Sequence, residues 1–110
     1  MSPSPVVLDT NIVLDLWVFD DPQAVPLREA LDAGALRWLA TAAMREELAR
    51  VLGYPHIAQR LHARARAPEA VLALWDRHAQ PQPPAPKAPY TCKDADDQKF
   101  IDLAVQHRAA

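Results

Sequence analysis

Two glycines and one cysteine are all that these 110 residues contain of either. A phosphate-cradling loop of the G-x-G-x-x-G or P-loop type therefore cannot be written anywhere in the chain. With Cys92 alone no intrachain disulfide forms, and a reducing cytoplasm is the expected home. Cys92 has no histidine motif beside it, so it reads as a plain thiol. No stretch approaches the roughly 18 apolar residues of a membrane span, and the opening "MSPSP" lacks the basic head of a signal peptide. Net charge is small as well, at −2. Any nucleic-acid partner would have to be held locally or through metal ions, not by a global field.

What is present fits one soluble globular domain, expected to span residues 1–110. Half of the chain is hydrophobic and 24% is charged, enough for a single core. "PVVLD" reads as a short strand of the kind buried in parallel sheets. Thr10 or Asn11 is placed to cap the helix that "IVLDLWVF" starts. A further helix, "PQAVPLREALDAG", ends at Gly34, and "ALRWLA" fits a second strand. Thr41 caps "AAMREELARVLG", which closes at Gly53. Two more amphipathic helices follow in "YPHIAQRLHARA" and "PEAVLALWDRHA". Residues 81–89, "PQPPAPKAP", hold five prolines, so no helix passes through them and a stiff surface connection results. "YTC" could be a short strand, and "DADDQKFIDLAVQHRAA" is a strong final helix. Strands alternating with helices predict an α/β fold, with helices on both faces of a parallel sheet.

Three acidic positions stand out. Asp9 ends the first strand, where open α/β sheets bind their ligands; a helix cap or turn carboxylate is the other reading. In the third helix Glu46 falls opposite the apolar side of Met44, Leu48, Val51 and Leu52 and should face water. Glu47 lies on the edge of that stripe, as a boundary residue or as a site residue. Asp97 precedes Phe100, Ile101 and Ala104 at one-face spacing, which aims it along the buried stripe. A buried ion pair with a neighbouring arginine is its structural alternative. Asp94 and Asp96 read as helix-start residues. Carboxylates gathered at one crevice repel unless a cation neutralises them, and oxygen-only ligands select Mg²⁺ or Mn²⁺. Such an ion activates water and steadies a phosphoryl oxygen, which is nuclease chemistry. A phosphatase of the haloacid-dehalogenase type would want Asp-x-Asp after its first strand, and Asn11 occupies the third position.

"VVLDTNIVLD" resembles the first motif of the PIN-domain nucleases: an apolar strand, Asp, a small hydroxyl residue, then Asn. "TAAMREELARVLGYP" is similar to the second motif, with its acidic position on Glu47. "CKDADDQKFIDLA" resembles the third, with its acidic position on Asp97. More narrowly, the combination resembles the toxin branch of bacterial toxin–antitoxin pairs. The resemblance implies a three-layer α/β/α sandwich with a short central parallel sheet. It also implies a metal-dependent endoribonuclease, with Asp9, Glu47 and Asp97 as catalytic, metal-holding residues for Mg²⁺ or Mn²⁺. Thr10 or Asn11 would order the strand-end turn. An RNA substrate, an antitoxin protein and a homodimer are the implied partners. The family pattern continues past the third motif into another strand with a further Asp. The chain stops at Ala110, so the last strand is expected to be absent and the domain incomplete at its C-terminus. The rival expectation is a catalytically inactive PIN-like module that only binds a protein.

The remaining features read more plainly. Arg60, Arg64 and Arg66, with His62, form either an RNA-phosphate contact or a solvated helix face. His56, His62, His78 and His107 share no zinc-ligand spacing. Trp17, Trp38 and Trp75 are expected in the core, with at most one of them left over as a base-stacking platform.

Overall fold

The first strand gives way to the first helix within three residues, and that junction fixes the architecture. The structure is a computed structural model that describes residues 3–88 and 97–107. Strand β1, Ser4–Val6, runs through Val7 and Leu8 into helix α1, Thr10–Trp17. The cap of α1 is Asp9, neither Thr10 nor Asn11: the Asp9 carboxylate accepts the Ile12 N–H at 3.0 Å. Helix starts favour such a short acceptor, and its negative charge suits the positive end of the helix dipole.

Helix α2, Val25–Asp32, follows a short 3₁₀ turn at Pro22–Ala24. Gly34 has φ +74, a conformation a side chain would strain, and this lets the chain turn into strand β2, Leu36–Ala40. Thr41 caps helix α3, Ala42–Leu52, as the sequence predicts. Helices α4, Pro55–Ala63, and α5, Pro68–His78, each start with proline in the first turn, where its missing N–H costs nothing.

The sheet has three parallel strands in the order β1-β2-β3, among the described residues. Strand β3, Ala79–Pro81, pairs Trp38 with Ala79 and Ala40 with Pro81, while Val6 stands opposite Trp38 on the other side. A strand at Ala79–Pro81 is not predicted by the sequence. "AQP" has neither β-branched residues nor alternation, and its pairing follows from where α5 ends. Pro81 sits on an outer strand of this sheet, where a missing donor is tolerated. Trp38, Leu39 and Ala40 are all buried, as expected of a central strand covered on both faces. The fold is mixed α/β, a three-layer α/β/α arrangement with six helices among the described residues. The predicted strand at "YTC", together with Cys92, Asp94 and Asp96, lies outside those residues.

The core is built on tryptophan. Trp38 meets Trp17 at 5.8 Å and Trp75 edge-on at 5.7 Å, and His78 stacks on Trp17 at 5.8 Å. All three tryptophans are nearly inaccessible, at 4%, 1% and 5% exposure for Trp17, Trp38 and Trp75. None is left as a base-stacking platform. Leu16, Val18, Leu48, Leu52, Ile57, Leu61, Val71 and Leu103 fill the space around them.

The last described helix, α6, spans Gln98–His107 and buries Phe100 and Leu103. Ile101 and Ala104 are only half-buried, so the core face is rotated from the predicted stripe. Asp97 precedes this helix and is exposed. Asp102 ties α6 to the connection before it, accepting the Ala88 N–H and the Gln98 amide, both at 2.8 Å. Those bonds, the Ala88 one foremost, lower the Asp102 pKa from its ordinary value.

Candidate active site

Helix α3 carries Glu47 one turn after the buried Met44, on the border of its apolar face, while Glu46 points to water. Burial of Met44, Leu48 and Leu52 fixes the rotation of the helix, and that rotation aims Glu47 at the start of α1. There the Thr10 hydroxyl donates to one carboxylate oxygen, Oε2. The Lys99 ammonium, from the first turn of α6, donates to the other, Oε1, at 2.9 Å. The Glu47 side chain is only 12% exposed. A carboxylate this sheltered is costly unless both oxygens are satisfied, and here both are.

These groups open onto a pocket of about 350 Å³. Thr10, Asn11 and Leu14 line it from α1, and Glu47, Arg50 and Val51 from α3. Tyr54, His56 and Ile57 come from the corner between α3 and α4, and Asp97 from the start of α6. Of the three acidic positions singled out by sequence, Glu47 and Asp97 share this pocket. Asp9 stands beside it, next to Thr10 in the chain, exposed and engaged through Oδ1 in capping α1. Among the described residues no three His, Cys, Asp or Glu side chains gather into a group that could hold a metal ion. The donor chemistry nevertheless suits a hard divalent ion. Two carboxylates, a hydroxyl and an amide are oxygen ligands, and the ammonium on Glu47 shows that this pocket draws positive charge.

Three residues of the pocket wall, Arg50, Tyr54 and His56, and Lys99 beside it on Glu47 are not picked out as site residues by the sequence. Lys99 carried a usable signal. A cation in the first turn of a helix opposes the dipole, so its presence asks for a nearby anion. Its Nζ also lies 4.8 Å from the Phe100 ring centre, which steadies the long side chain. Arg50, Tyr54 and His56 carried none, because their meeting with Asp97 depends on how α3, α4 and α6 pack.

The arginines of "QRLHARARAP" have a different job from either predicted one. Arg64 and Arg66 reach back to the far end of α1. Arg66 donates to the Trp17 carbonyl and Arg64 to that of Phe19, and both face the Asp20 carboxylate. Arg28 approaches the same carboxylate at 3.8 Å, and the Arg60 guanidinium lies over the Phe19 ring at 5.4 Å. They close the negative end of a helix and pin α4 to it.

A family model described as the PIN domain matches residues 5–110. The chain therefore belongs to the PIN-domain family, a family of nucleases that act on nucleic acid and usually use divalent metal ions. No curated protein and no solved structure matches it. Among the described residues no helix is long and apolar enough to cross a membrane.

Proposed function

We propose that this PIN-domain protein is a metal-dependent endoribonuclease hydrolysing RNA phosphodiesters, and that it is the toxin component of a toxin–antitoxin pair. The observation that carries the reading is the shared pocket of Glu47 and Asp97, set on two of the three family motifs. Asp9, Glu47 and Asp97 would hold a Mg²⁺ or Mn²⁺ ion. The chemistry such an ion supplies when bound is activation of water and neutralisation of phosphoryl charge. The chain's own residues do the rest. The Thr10 hydroxyl fixes the rotamer of Glu47, and Leu14, Val51 and Ile57 give the pocket an apolar floor. An antitoxin protein and a second copy of the chain are the proposed partners, with the cytoplasm as the place of action.

Asp97→Asn is the direct test. The substitution keeps size and polarity but removes a charge, so the fold should survive, as circular dichroism would show. Metal-stimulated cleavage of a single-stranded RNA should fall by about a hundredfold or more. Cleavage at the parent rate removes Asp97 from the site.

A second reading is favoured by Lys99, which already neutralises Glu47, together with the lack of a three-acid group among the described residues. On that reading the chain is an inactive PIN-like module that binds a protein partner. Calorimetric titration with Mn²⁺ separates the two, because a purely structural pocket shows no saturable divalent binding.

A further inference from the structure

We propose that Lys99 is a latch on this pocket: its ammonium holds the cation position on Glu47, and a divalent ion takes that position only by displacing it. The inference rests on reading the pocket as a divalent-ion site and adds how access to that site is regulated. Lys99 Nζ donates to Glu47 Oε1 at 2.9 Å, while the Thr10 hydroxyl donates to Oε2. Both oxygens of this sheltered acid are therefore engaged, and the partner on Oε1 is itself a cation.

The balance of charge leads the same way. Glu47 and Asp97 bring two negative charges to the pocket, and Arg50 on its wall and Lys99 beside it bring two positive ones. An incoming divalent ion thus meets a site already matched in charge, and a cation has to leave before the ion gains its full attraction. Of the two, Lys99 is the one seated on a Glu47 oxygen.

Its side chain is suited to leaving. Elsewhere in the molecule carboxylates are met by guanidiniums, three around Asp20 and a two-pronged one on Asp76. Planar guanidiniums fix such pairs in geometry. Glu47 is met instead by a lysine, a point charge on a flexible four-carbon stem. Lys99 can also move without taking its helix along. Phe100 and Leu103 are buried, and Asp102 holds the Ala88 N–H and the Gln98 amide, so α6 stays fastened when the ammonium lets go. The Phe100 ring centre, 4.8 Å from Nζ, offers the displaced charge a second resting place. The Lys99 side chain is already 26% exposed, which leaves it a path into solvent.

The test is the reactivity of Lys99 toward an acetylating N-hydroxysuccinimide ester, read site by site by mass spectrometry on the full chain. Lys87, exposed in the proline-rich connection, is the internal reference. In EDTA, Lys99 should react slowly, shielded on Glu47. Saturating Mg²⁺ should speed its acetylation about tenfold relative to Lys87, and Glu47→Gln should do the same without any ion. Calorimetry supplies the matching affinities. Lys99→Met should bind Mg²⁺ about tenfold more tightly than the parent, whereas Lys99→Arg, which keeps a cation on Glu47, should not. If the parent takes up Mg²⁺ while Lys99 acetylation stays as in EDTA, or if Lys99→Met binds the ion no more tightly, the latch is overturned. The nuclease reading then still stands on the Asp97→Asn cleavage comparison. Should neither the parent nor Lys99→Met take up Mg²⁺, both fall.

Discussion

Helix α1 has a carboxylate-centred cluster at each end, and the two are built to opposite plans. At its C-terminal end Asp20 is surrounded by Arg28, Arg64 and Arg66, with two guanidiniums also bonded to backbone carbonyls. Positive charge is in excess there, and it sits where the helix dipole is negative. At the N-terminal end Glu47 has one hydroxyl and one ammonium, and Asp97 opens onto the same pocket. Negative charge gathers there, beside the positive end of the helix and next to open space. The first arrangement is self-sufficient and locks α4 to α1. The second opens onto a polar cavity lined by Glu47, Arg50 and Asp97, which is how a ligand site differs from a clamp.

Lys99→Met breaks this comparison most strongly. Removing the ammonium leaves the sheltered Glu47 carboxylate with only Thr10, and stability to urea should fall by about 2 kcal/mol. If the N-terminal cluster is a cation site, millimolar Mg²⁺ or Mn²⁺ should recover much of that loss, and calorimetry should find tighter divalent binding than in the parent. A deficit that divalent ions do not touch would make Glu47 and Lys99 a clamp like the other end. Asp20→Asn is the smaller, complementary change. It keeps a residue tolerant of the positive φ of 47 at this position but removes the charge that three arginines face. A loss of about 1 kcal/mol is expected, larger at low salt, with RNA cleavage unchanged. A drop in cleavage without a drop in stability would mean that the arginines serve the substrate after all.

The two ends of α1 were also unequally legible in the sequence. Local signals were reliable: Thr41 as a cap, Gly34 and Gly53 as helix ends, Glu46 outside and Glu47 at the border. Each depends on neighbours within one helical turn. At the strand end local logic leaves two readings of Asp9 open, cap or ligand, and offers Thr10 or Asn11 as rival caps. In the structure Asp9 does that work, and Thr10 is turned toward Glu47 instead. Asp97 lines the pocket, but it does not point along the buried stripe that its spacing predicts. The core face of α6 is centred on Phe100 and Leu103, so Asp97 looks into the pocket and solvent, away from the core. The arginine clamp was unreadable, since Asp20 and Arg64 lie 44 residues apart and no local pattern pairs them. Strand β3 was equally silent, because its pairing comes from β2 and not from its own side chains.

Between the two clusters in kind stands Asp102, which positions the site without facing it. Its carboxylate holds the Ala88 N–H and the Gln98 side chain, so it anchors the helix whose first turn delivers Lys99 and whose start delivers Asp97. Those bonds favour the ionised form and depress its pKa below the ordinary 3.8. A carboxylate with a folded-state pKa below its unfolded value stabilises the fold above the unfolded value. That contribution fades as pH falls through the folded value. Acid unfolding below about pH 4 should therefore be less steep in Asp102→Asn than in the parent, while the two differ little in slope at neutral pH. The group is only half-buried, so the change is the smallest of those considered and is best read from matched urea midpoints along an acid series. If the asparagine chain loses stability with acid as steeply as the parent, Asp102 is not what fastens α6, and the placement of Lys99 against Glu47 does not depend on that carboxylate.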